Sequence, residues 1–167
     1  MSAQPLEIER KFLIAYPDRS LLAQKAQSVS EIWQTYLRSE DGSSARIRKR
    51  QFGDRIEYTK TCKIHVTDQT RIEQETVITA EEYVALLQTD ALPDLRTIHK
   101  WRYCVPYRGQ LCEIDLYEFW QDRATLEIET ETEEQEIFLP PFVTLLREVT
   151  WDKGYTNRAM AKILPPL

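Results

Sequence analysis

The chain has 167 residues, of which 42% are hydrophobic and 29% are charged. This composition supports a sizeable core and excludes an intrinsically disordered protein. The formal net charge of −5 disfavours a broad nucleic-acid surface, where an excess of basic residues is expected. With only four glycines, the sequence has neither a P-loop nor a dinucleotide-binding fingerprint. We expect one domain over residues 1–167, with no stable nucleic-acid partner.

The cysteines and the apolar runs indicate the compartment. Cys62, Cys104 and Cys112 follow no CxxC spacing, and an odd number of cysteines predicts free, buried thiols in a reducing environment. The N-terminal segment lacks the apolar stretch of a signal peptide, and no apolar run approaches the length of a membrane span. The sequence therefore predicts a cytoplasmic protein without a membrane partner.

The first half of the chain predicts strands separated by short turns. Alternating apolar and polar residues indicate strands near 7–12, 32–39, 44–51, 55–63 and 70–78. A helix capped by Asp18 or Ser20 is expected after the first strand. A second helix should begin at Thr79, which forms a capping-box pattern with Glu82.

The second half continues the same pattern and then changes character. Strands are expected near 98–105, 111–117 and 124–130, and Arg108-Gly109 predicts a hairpin turn. We expect a short helix near 133–138, a strand or short helix near 143–150 and a small helix near 157–164. Eight strands with a few helices predict an α+β, mostly antiparallel fold.

The first strand carries the pattern on which the functional hypothesis depends. Side chains alternate between the two faces of a strand, so Glu7, Glu9 and Lys11 share one face. Two carboxylates at this spacing can bind Mg²⁺ or Mn²⁺, which prefer hard oxygen ligands, and the lysine can meet a phosphate on the same ion. An exposed edge strand would show the same alternation without any function.

Similar pairs of charged residues recur at the i, i+2 spacing along the chain. The acidic pairs are Glu7 with Glu9, Glu113 with Asp115, and Glu127 with Glu129. The basic pairs are Arg46 with Arg48 and Lys100 with Arg102, and Lys60 adds to them. If these faces lined a closed barrel, a cation and a polyanion would neutralise the buried charges, which could not remain uncompensated. A β-sandwich with a charged outer face remains the alternative.

The motifs resemble those of the CYTH superfamily, the triphosphate tunnel metalloenzymes, over nearly the whole chain. Glu7-Ile8-Glu9-Arg10-Lys11 resembles the family's ExExK signature, and the later motifs follow in the family's order. These later motifs are Arg46-Ile47-Arg48, Tyr58-Thr59-Lys60, Arg71-Ile72-Glu73-Gln74-Glu75, Lys100-Trp101-Arg102, Glu113-Ile114-Asp115, Glu127-Ile128-Glu129 and the C-terminal box from Glu148 to Asn157.

The resemblance implies an eight-stranded, closed antiparallel tunnel with a charged lumen and helices packed outside. It implies a site for one or two Mg²⁺ or Mn²⁺ ions, held by Glu7, Glu9, Asp115, Glu127 and Glu129. It also implies a set of catalytic and phosphate-binding cations, namely Lys11, Arg46, Arg48, Lys60, Lys100 and Arg102. Glu73 would belong to the substrate-binding residues. At Gly154 and Thr156 the sequence lacks the basic residues that are common in short bacterial members, which could alter substrate choice.

The short bacterial members most similar to this chain imply metal-dependent hydrolysis of inorganic tripolyphosphate to diphosphate and phosphate. Class IV-type adenylate cyclase and nucleoside, thiamine or RNA triphosphatase activities are alternatives from the same family. A non-catalytic protein that binds polyphosphate or nucleotides is an alternative of another class. The sequence leaves a homodimer open.

Overall fold

The computed structural model describes residues 8–39, 44–65 and 71–167. The predicted ligand Glu7 and the turn predicted at 40–43 lie outside these ranges. Nine strands lie within them: β1 (Ile8–Ala15), β2 (Ser28–Leu37), β3 (Ser44–Phe52), β4 (Arg55–His65), β5 (Arg71–Val77), β6 (Ile98–Tyr107), β7 (Gln110–Tyr117), β8 (Arg123–Thr130) and β9 (Leu145–Glu148). The helices in the same ranges are α1 (Arg19–Lys25), α2 (Ala80–Thr89) and α3 (Asn157–Lys162), and a 3-10 turn lies at Lys153–Tyr155.

The chain divides into two compact units. The first unit combines Met1–Ser30 with Lys100–Asp152, and the second combines Glu31–His99 with Lys153–Leu167. In the first unit the strand order is β6-β7-β8-β1-β9, and in the second it is β5-β4-β3-β2. Neighbouring strands within each unit are antiparallel, which confirms the α+β, mostly antiparallel class.

In the first unit, the apolar face of the sheet forms the core. Phe12, Ile114 and Leu126 come from three strands and pack with Leu22 of α1 in one buried cluster. Asp18 begins α1 as predicted, because its Oδ1 accepts hydrogen bonds from the backbone N–H groups of Ser20 at 2.8 Å and Leu21 at 3.2 Å. The helix therefore covers the apolar side of the strands, and the opposite side carries the charged residues.

The second unit has a core of the same kind. Ala45 and Ile47 of β3 are buried with Tyr83 of α2, and burying each large apolar side chain contributes about 1.5–3 kcal/mol. The helix begins at the predicted cap, where Oγ1 of Thr79 accepts a hydrogen bond from the backbone N–H of Glu82 at 3.1 Å. Ala45 and Ile47 therefore lie on the apolar face of β3.

The β6–β7 hairpin has the tight turn that the sequence predicts. Arg108 and Gly109 both have positive φ, 49° and 75°, which is the signature of a two-residue type I′ turn. Gly109 adopts this conformation without strain because it has no Cβ. The turn fixes the pairing of Tyr107 with Gln110, and with it the register of the whole hairpin.

The closed eight-stranded tunnel is not confirmed by the pairing within the units. Over the described residues, β5 pairs with β4 alone and β9 pairs with β1 alone, so each is the last strand in its unit's order. The additional strand, β9, comes from the segment for which strand and helix were both expected. The single domain over residues 1–167 stays a prediction.

The helix predicted near 133–138 is wrong, because residues 133–134 form a turn and residues 135–138 have no regular secondary structure. Side-chain amides bond to its backbone instead. Gln110 donates from Nε2 to the carbonyl of Phe138 at 2.9 Å and accepts from the N–H of Phe138 at 3.0 Å. Oε1 of Gln135 accepts from the N–H of Glu131 at 2.8 Å. The two bonds from Gln110 hold Phe138 against the β6–β7 hairpin.

The three cysteines are free thiols, as predicted. Cys104 and Cys112 are buried, whereas Cys62 is half-buried. Burial raises the pKa of the Cys112 thiol to about 11, so this thiol stays protonated and unreactive near neutral pH. Among the described residues, no helix is both long enough and apolar enough to span a membrane.

Candidate active site

The strand register of the first unit brings four carboxylates onto one face of the sheet. Glu9 of β1 lies opposite Glu129 of β8, and Lys11 lies opposite Glu127. Glu127 in turn lies opposite Glu113 of β7. Residues directly opposed in an antiparallel pair share a face, so Glu9, Glu113, Glu127 and Glu129 all lie on the side of the sheet away from the apolar core.

These four carboxylates line a cavity of about 290 Å³, together with the β6–β7 turn and Gln135. Loss of hydration at the cavity wall, followed by repulsion from Glu127, Glu113 and Glu129, raises the pKa of Glu9 to about 7. Lys11 offsets part of the negative charge, since its Nζ lies 3.5 Å from Oε1 of Glu127. The cavity nevertheless carries an excess of negative charge that would attract a cation.

The donor chemistry of the cavity fits a hard divalent cation. Carboxylate oxygens are the ligands that Mg²⁺ and Mn²⁺ prefer, and four carboxylate groups are available on adjacent strands. Within the ranges that the structure describes, no three acidic, histidine or cysteine side chains are close enough together to hold a metal ion. Ligation would therefore require rotation of the glutamate side chains toward one point in the cavity.

Asp115, which was predicted as a metal ligand, does not line this cavity. It is 1% exposed. Lys100 Nζ lies 2.8 Å from its Oδ2, and Arg102 donates to both carboxylate oxygens, at 2.8 Å and 2.9 Å. Asp115 therefore binds two cations of its own sheet, and Glu113, two residues earlier, takes its place among the cavity carboxylates.

The ion pairs of Asp115 determine its charge. Burial alone would raise the pKa of this carboxyl, but the charges of Lys100 and Arg102 outweigh burial and hold the pKa well below its usual range. Lys100 is fully buried, so the carboxylate is its necessary counter-ion. Arg102 also reaches Glu113, with Nη1 3.1 Å from Oε2, and thereby connects this buried cluster to the acidic cavity.

The C-terminal box holds the first strand in place. The backbone N–H of Lys11 donates to Thr150 Oγ1 at 3.0 Å, and the N–H of Val149 donates to the carbonyl of Lys11 at 2.8 Å. On the opposite face of the strand, Nε of Arg10 lies 2.7 Å from Oε1 of Glu148. The box therefore fixes the part of β1 that presents Glu9 and Lys11.

In the second unit, the arginines of β3 share one face, as predicted. Arg46 lies opposite Tyr36 and Arg48 lies opposite Gln34 in the β2–β3 register. Both Nε and Nη2 of Arg48 donate to Oε1 of Gln34, at 3.1 Å and 2.8 Å. Gln34 is thus a site residue that sequence reasoning missed, since a neutral amide on a strand gives no electrostatic signal.

Arg46 is less completely bonded than Arg48. Its Nη2 lies 3.4 Å from Oε1 of Glu73 on β5, which is a long contact to a half-exposed carboxylate. The Nε of Arg46 is buried and has no hydrogen-bond partner among the described residues. A buried donor without a partner is unfavourable, so this face is suited to accept an anion. The predicted substrate-binding residue Glu73 lies beside Arg46.

The register places Lys60 on the face opposite to the one that was expected. Lys60 of β4 pairs with Ile47 of β3, and Ile47 belongs to the apolar core. The arginine face carries Thr59, Thr61 and Lys63 instead, because Thr61 pairs with Arg46. Lys60 is therefore separated from Arg46 and Arg48 by the sheet, and Lys63 is the lysine of β4 that lies on their face.

Thr156, one of the two positions that depart from the family's pattern, has a structural role. Its Oγ1 accepts a hydrogen bond from the backbone N–H of Ala159 at 3.2 Å and donates to the carbonyl of Lys153 at 3.1 Å. It is the N-cap of α3. The neighbouring Gly154 lines a separate cavity of about 660 Å³ together with Leu95 and Arg158.

Comparison with known proteins identifies the family. The crystal structure of the inorganic triphosphatase NE1496 is similar, with 30% identity and a TM-score of 0.63 over 99% of this chain and 100% of that chain. A crystal structure of NE1496 described as a hypothetical protein has 31% identity and the same TM-score, over 96% of this chain and 100% of that chain. The structure of the PH1819 protein from Pyrococcus horikoshii OT3 is also similar, with 19% identity and a TM-score of 0.51 over 77% of this chain and 80% of that chain. At this identity, the similarity concerns the fold alone. No curated protein matches the chain. The CYTH domain model matches residues 5–145, and the chain therefore belongs to the CYTH domain family.

Proposed function

We propose that this protein is a metal-dependent hydrolase that converts a linear triphosphate, preferably inorganic tripolyphosphate, to diphosphate and phosphate. The observation that carries the proposal is the cavity of the first unit, which Glu9, Glu113, Glu127 and Glu129 line and to which they give an excess of negative charge. The similarity to the inorganic triphosphatase NE1496 over the full length of that chain supports the same activity.

The cavity carboxylates would hold the divalent cation. Glu9 and Glu129 lie directly opposite each other, and Glu113 and Glu127 form the next opposed pair, so the four oxygen donors come from adjacent strands. Glu7, which precedes the described residues, is expected on the same face. When bound, Mg²⁺ or Mn²⁺ would neutralise charge on the phosphate oxygens and lower the pKa of a coordinated water.

The chain's own cations would bind and orient the phosphates. The guanidinium groups of Arg46 and Arg48 can each bind phosphate oxygens bidentately, and the unpartnered Nε of Arg46 is a donor that a phosphate oxygen would satisfy. Lys63 lies on the same face. In the first unit, Lys11 beside Glu127 would contact a phosphate that is held at the cavity.

Lys100 and Arg102 differ from Arg46 and Arg48, because acidic side chains compensate their positive charge. Their ammonium and guanidinium groups are paired with Asp115 and Glu113, so their positive charge is already compensated within the first unit. We propose that Arg102 acts chiefly by fixing the carboxylate of Glu113 at the cavity. Any direct contact of Lys100 with substrate would require that its buried ion pair open.

The reaction requires positioning and charge compensation more than covalent chemistry. The oxygen of a water molecule attacks the terminal phosphorus, the terminal phosphoanhydride P–O bond breaks, and diphosphate leaves with the bonding pair. Negative charge in the transition state spreads over the equatorial oxygens of the transferred group. A donor fixed before the reaction, such as Arg48, would stabilise that charge without reorganisation.

A substrate panel tests this proposal. The purified protein should release phosphate from tripolyphosphate with Mg²⁺ or Mn²⁺, faster than from ATP or thiamine triphosphate. Cyclic AMP formed from ATP without phosphate release would indicate the cyclase alternative. Tight tripolyphosphate binding by titration calorimetry without any phosphate release would indicate a non-catalytic binding protein. Either result would overturn the proposed activity.

A further inference from the structure

Gln34 is a fully buried polar residue that the reaction outlined above does not use. It lies in β2, is 0% exposed and is paired with Arg48 in the β2–β3 register. An amide in such a position must have hydrogen-bond partners, because an unpaired buried polar group is unfavourable by about 1–3 kcal/mol. The hydrogen-bond partners of Gln34 therefore indicate its role.

The hydrogen bonds of Gln34 form a chain from Tyr36 to Arg48. Its Nε2 donates to the hydroxyl of Tyr36 at 2.6 Å, and its Oε1 accepts from both Nε and Nη2 of Arg48. A guanidinium group has donors only, so the oxygen end of the amide must face Arg48. The hydroxyl of Tyr36 accepts from the opposite end and gives the Nε2 amide group a partner.

The contact holds Arg48 through two of its donors. Bonds from both Nε and Nη2 to one oxygen fix the plane of the guanidinium group, which otherwise rotates freely at the end of a long side chain. Because Gln34 carries no charge, this contact orients Arg48 without neutralising it. Asp115 illustrates the contrast, because it orients Arg102 through a carboxylate and compensates its positive charge.

We propose that Gln34 is a positioning residue that orients the guanidinium group of Arg48 for phosphate binding without adding a compensating charge, with the hydroxyl of Tyr36 holding the other end of the amide. The proposal rests on the proposed function for the identity of the anion. The orientation of Arg48 by Gln34 is a property of the free protein and can be measured without substrate.

The experiment uses ¹⁵N NMR of the arginine Nε–H groups in the full chain, with Arg48→Lys to assign the signal. A buried hydrogen bond should protect the Arg48 Nε–H from exchange with solvent in the wild type. Gln34→Leu should remove this protection, whereas Gln34→Glu, which retains an acceptor, should keep it. Gln74→Leu, the same change at an exposed position of β5, is the matched control and should leave the signal unchanged.

Tripolyphosphate kinetics on the same variants separate orientation from charge. Gln34→Leu should raise KM about tenfold to a hundredfold, the effect of losing a hydrogen bond to a charged group. Gln34→Glu should also raise KM at least tenfold, although it keeps Arg48 oriented, because its carboxylate neutralises the guanidinium. Tyr36→Phe should raise KM less than Gln34→Leu, and Gln74→Leu should leave it unchanged.

Two results would overturn the proposal, and both differ from a failure of the proposed function. Equal protection of the Arg48 Nε–H in the wild type and in folded Gln34→Leu would show that Gln34 does not orient Arg48. A Gln34→Glu enzyme with wild-type KM would show that the neutrality of the residue is irrelevant. A wild type that releases no phosphate from tripolyphosphate would instead remove the proposed activity, and the NMR comparison would still decide whether Gln34 positions Arg48.

Discussion

Arg102 donates two hydrogen bonds to Asp115, from Nε to Oδ1 at 2.8 Å and from Nη2 to Oδ2 at 2.9 Å. The same carboxylate lies 2.8 Å from Nζ of Lys100. Alternation along the strand predicts that Asp115 shares a face with Glu113, but it does not reveal which of the two carboxylates lines the cavity. In the structure, Glu113 lines the cavity and Asp115 does not.

Replacing Asp115 should affect stability more than it affects metal binding. Asp115→Ala would remove the carboxylate that pairs with the fully buried Lys100, and breaking a buried pair in this way lowers the free energy of unfolding by about 3–5 kcal/mol. Urea denaturation measures the change. Asp122→Ala, which removes an exposed carboxylate beside Arg123, should leave the midpoint nearly unchanged. A stable Asp115→Ala protein that has lost only metal binding would contradict this account.

Removing one cavity carboxylate should have opposite effects with and without metal. Glu129 lies opposite Glu9, and opposed like charges destabilise a sheet, so Glu129→Gln should stabilise the metal-free protein by up to about 1 kcal/mol. Mg²⁺ should raise the Tm of the wild type, because it binds to the folded state. In Glu129→Gln this rise in Tm should be lost. Thermal unfolding with and without Mg²⁺ measures both effects.

The exposed Glu134 provides the control for that comparison. Glu134→Gln removes a carboxylate of the same unit that does not line the cavity, so its Tm should respond to Mg²⁺ as the wild type does. An identical Mg²⁺ response in Glu129→Gln and Glu134→Gln would show that the cavity does not bind the cation.

The two lysines of β4 test the assignment of faces. Lys63 lies on the arginine face and Lys60 lies on the face of Ile47. Lys63→Ala should raise KM for tripolyphosphate on the order of tenfold, since it removes a charged phosphate contact. Lys60→Ala should leave KM unchanged. The reverse ranking in steady-state kinetics would show that the substrate contacts the other face of β4.

The alternation of residues predicts the strand faces wherever one face is clearly apolar. In β8, Leu126 and Ile128 lie in the core, so the positions of Glu127 and Glu129 follow directly from the sequence. In β4 both faces carry polar residues, with Thr59 and Thr61 on one side and Lys60 on the other. The sequence of β4 then does not indicate which face packs in the core. Only the pairing of Lys60 with the core residue Ile47 shows it.

Contacts between distant residues account for the other failures. Gln34 acquires its role only when β2 pairs with β3, and an uncharged amide gives no sign of this in the sequence. The segment near 133–138 has a composition compatible with a helix, but Gln110, more than twenty residues earlier, bonds to the backbone of Phe138. Tertiary hydrogen bonds of this kind override local helix propensity.

Substitutions at Thr156, the N-cap of α3, test the role of this residue. Thr156→Ala removes the side-chain acceptor for the N–H of Ala159 and should lower the free energy of unfolding by about 1 kcal/mol. Thr156→Ser should retain the cap. Because Thr156 acts on the helix rather than on the substrate, neither change should alter the ratio of kcat/KM values for tripolyphosphate and ATP. A shift in that ratio with Thr156→Ala would assign this position to substrate selection.

Phosphate release from tripolyphosphate can be compared between wild type and Glu127→Gln, each assayed with Mg²⁺ and with EDTA. Glu127 lines the cavity and lies opposite Glu113, so a cation held there would depend on it. The account predicts release by the wild type only with Mg²⁺, and a rate on the order of 10²–10³ lower in the variant. Release that persists in EDTA, or an undiminished rate in Glu127→Gln, would contradict it.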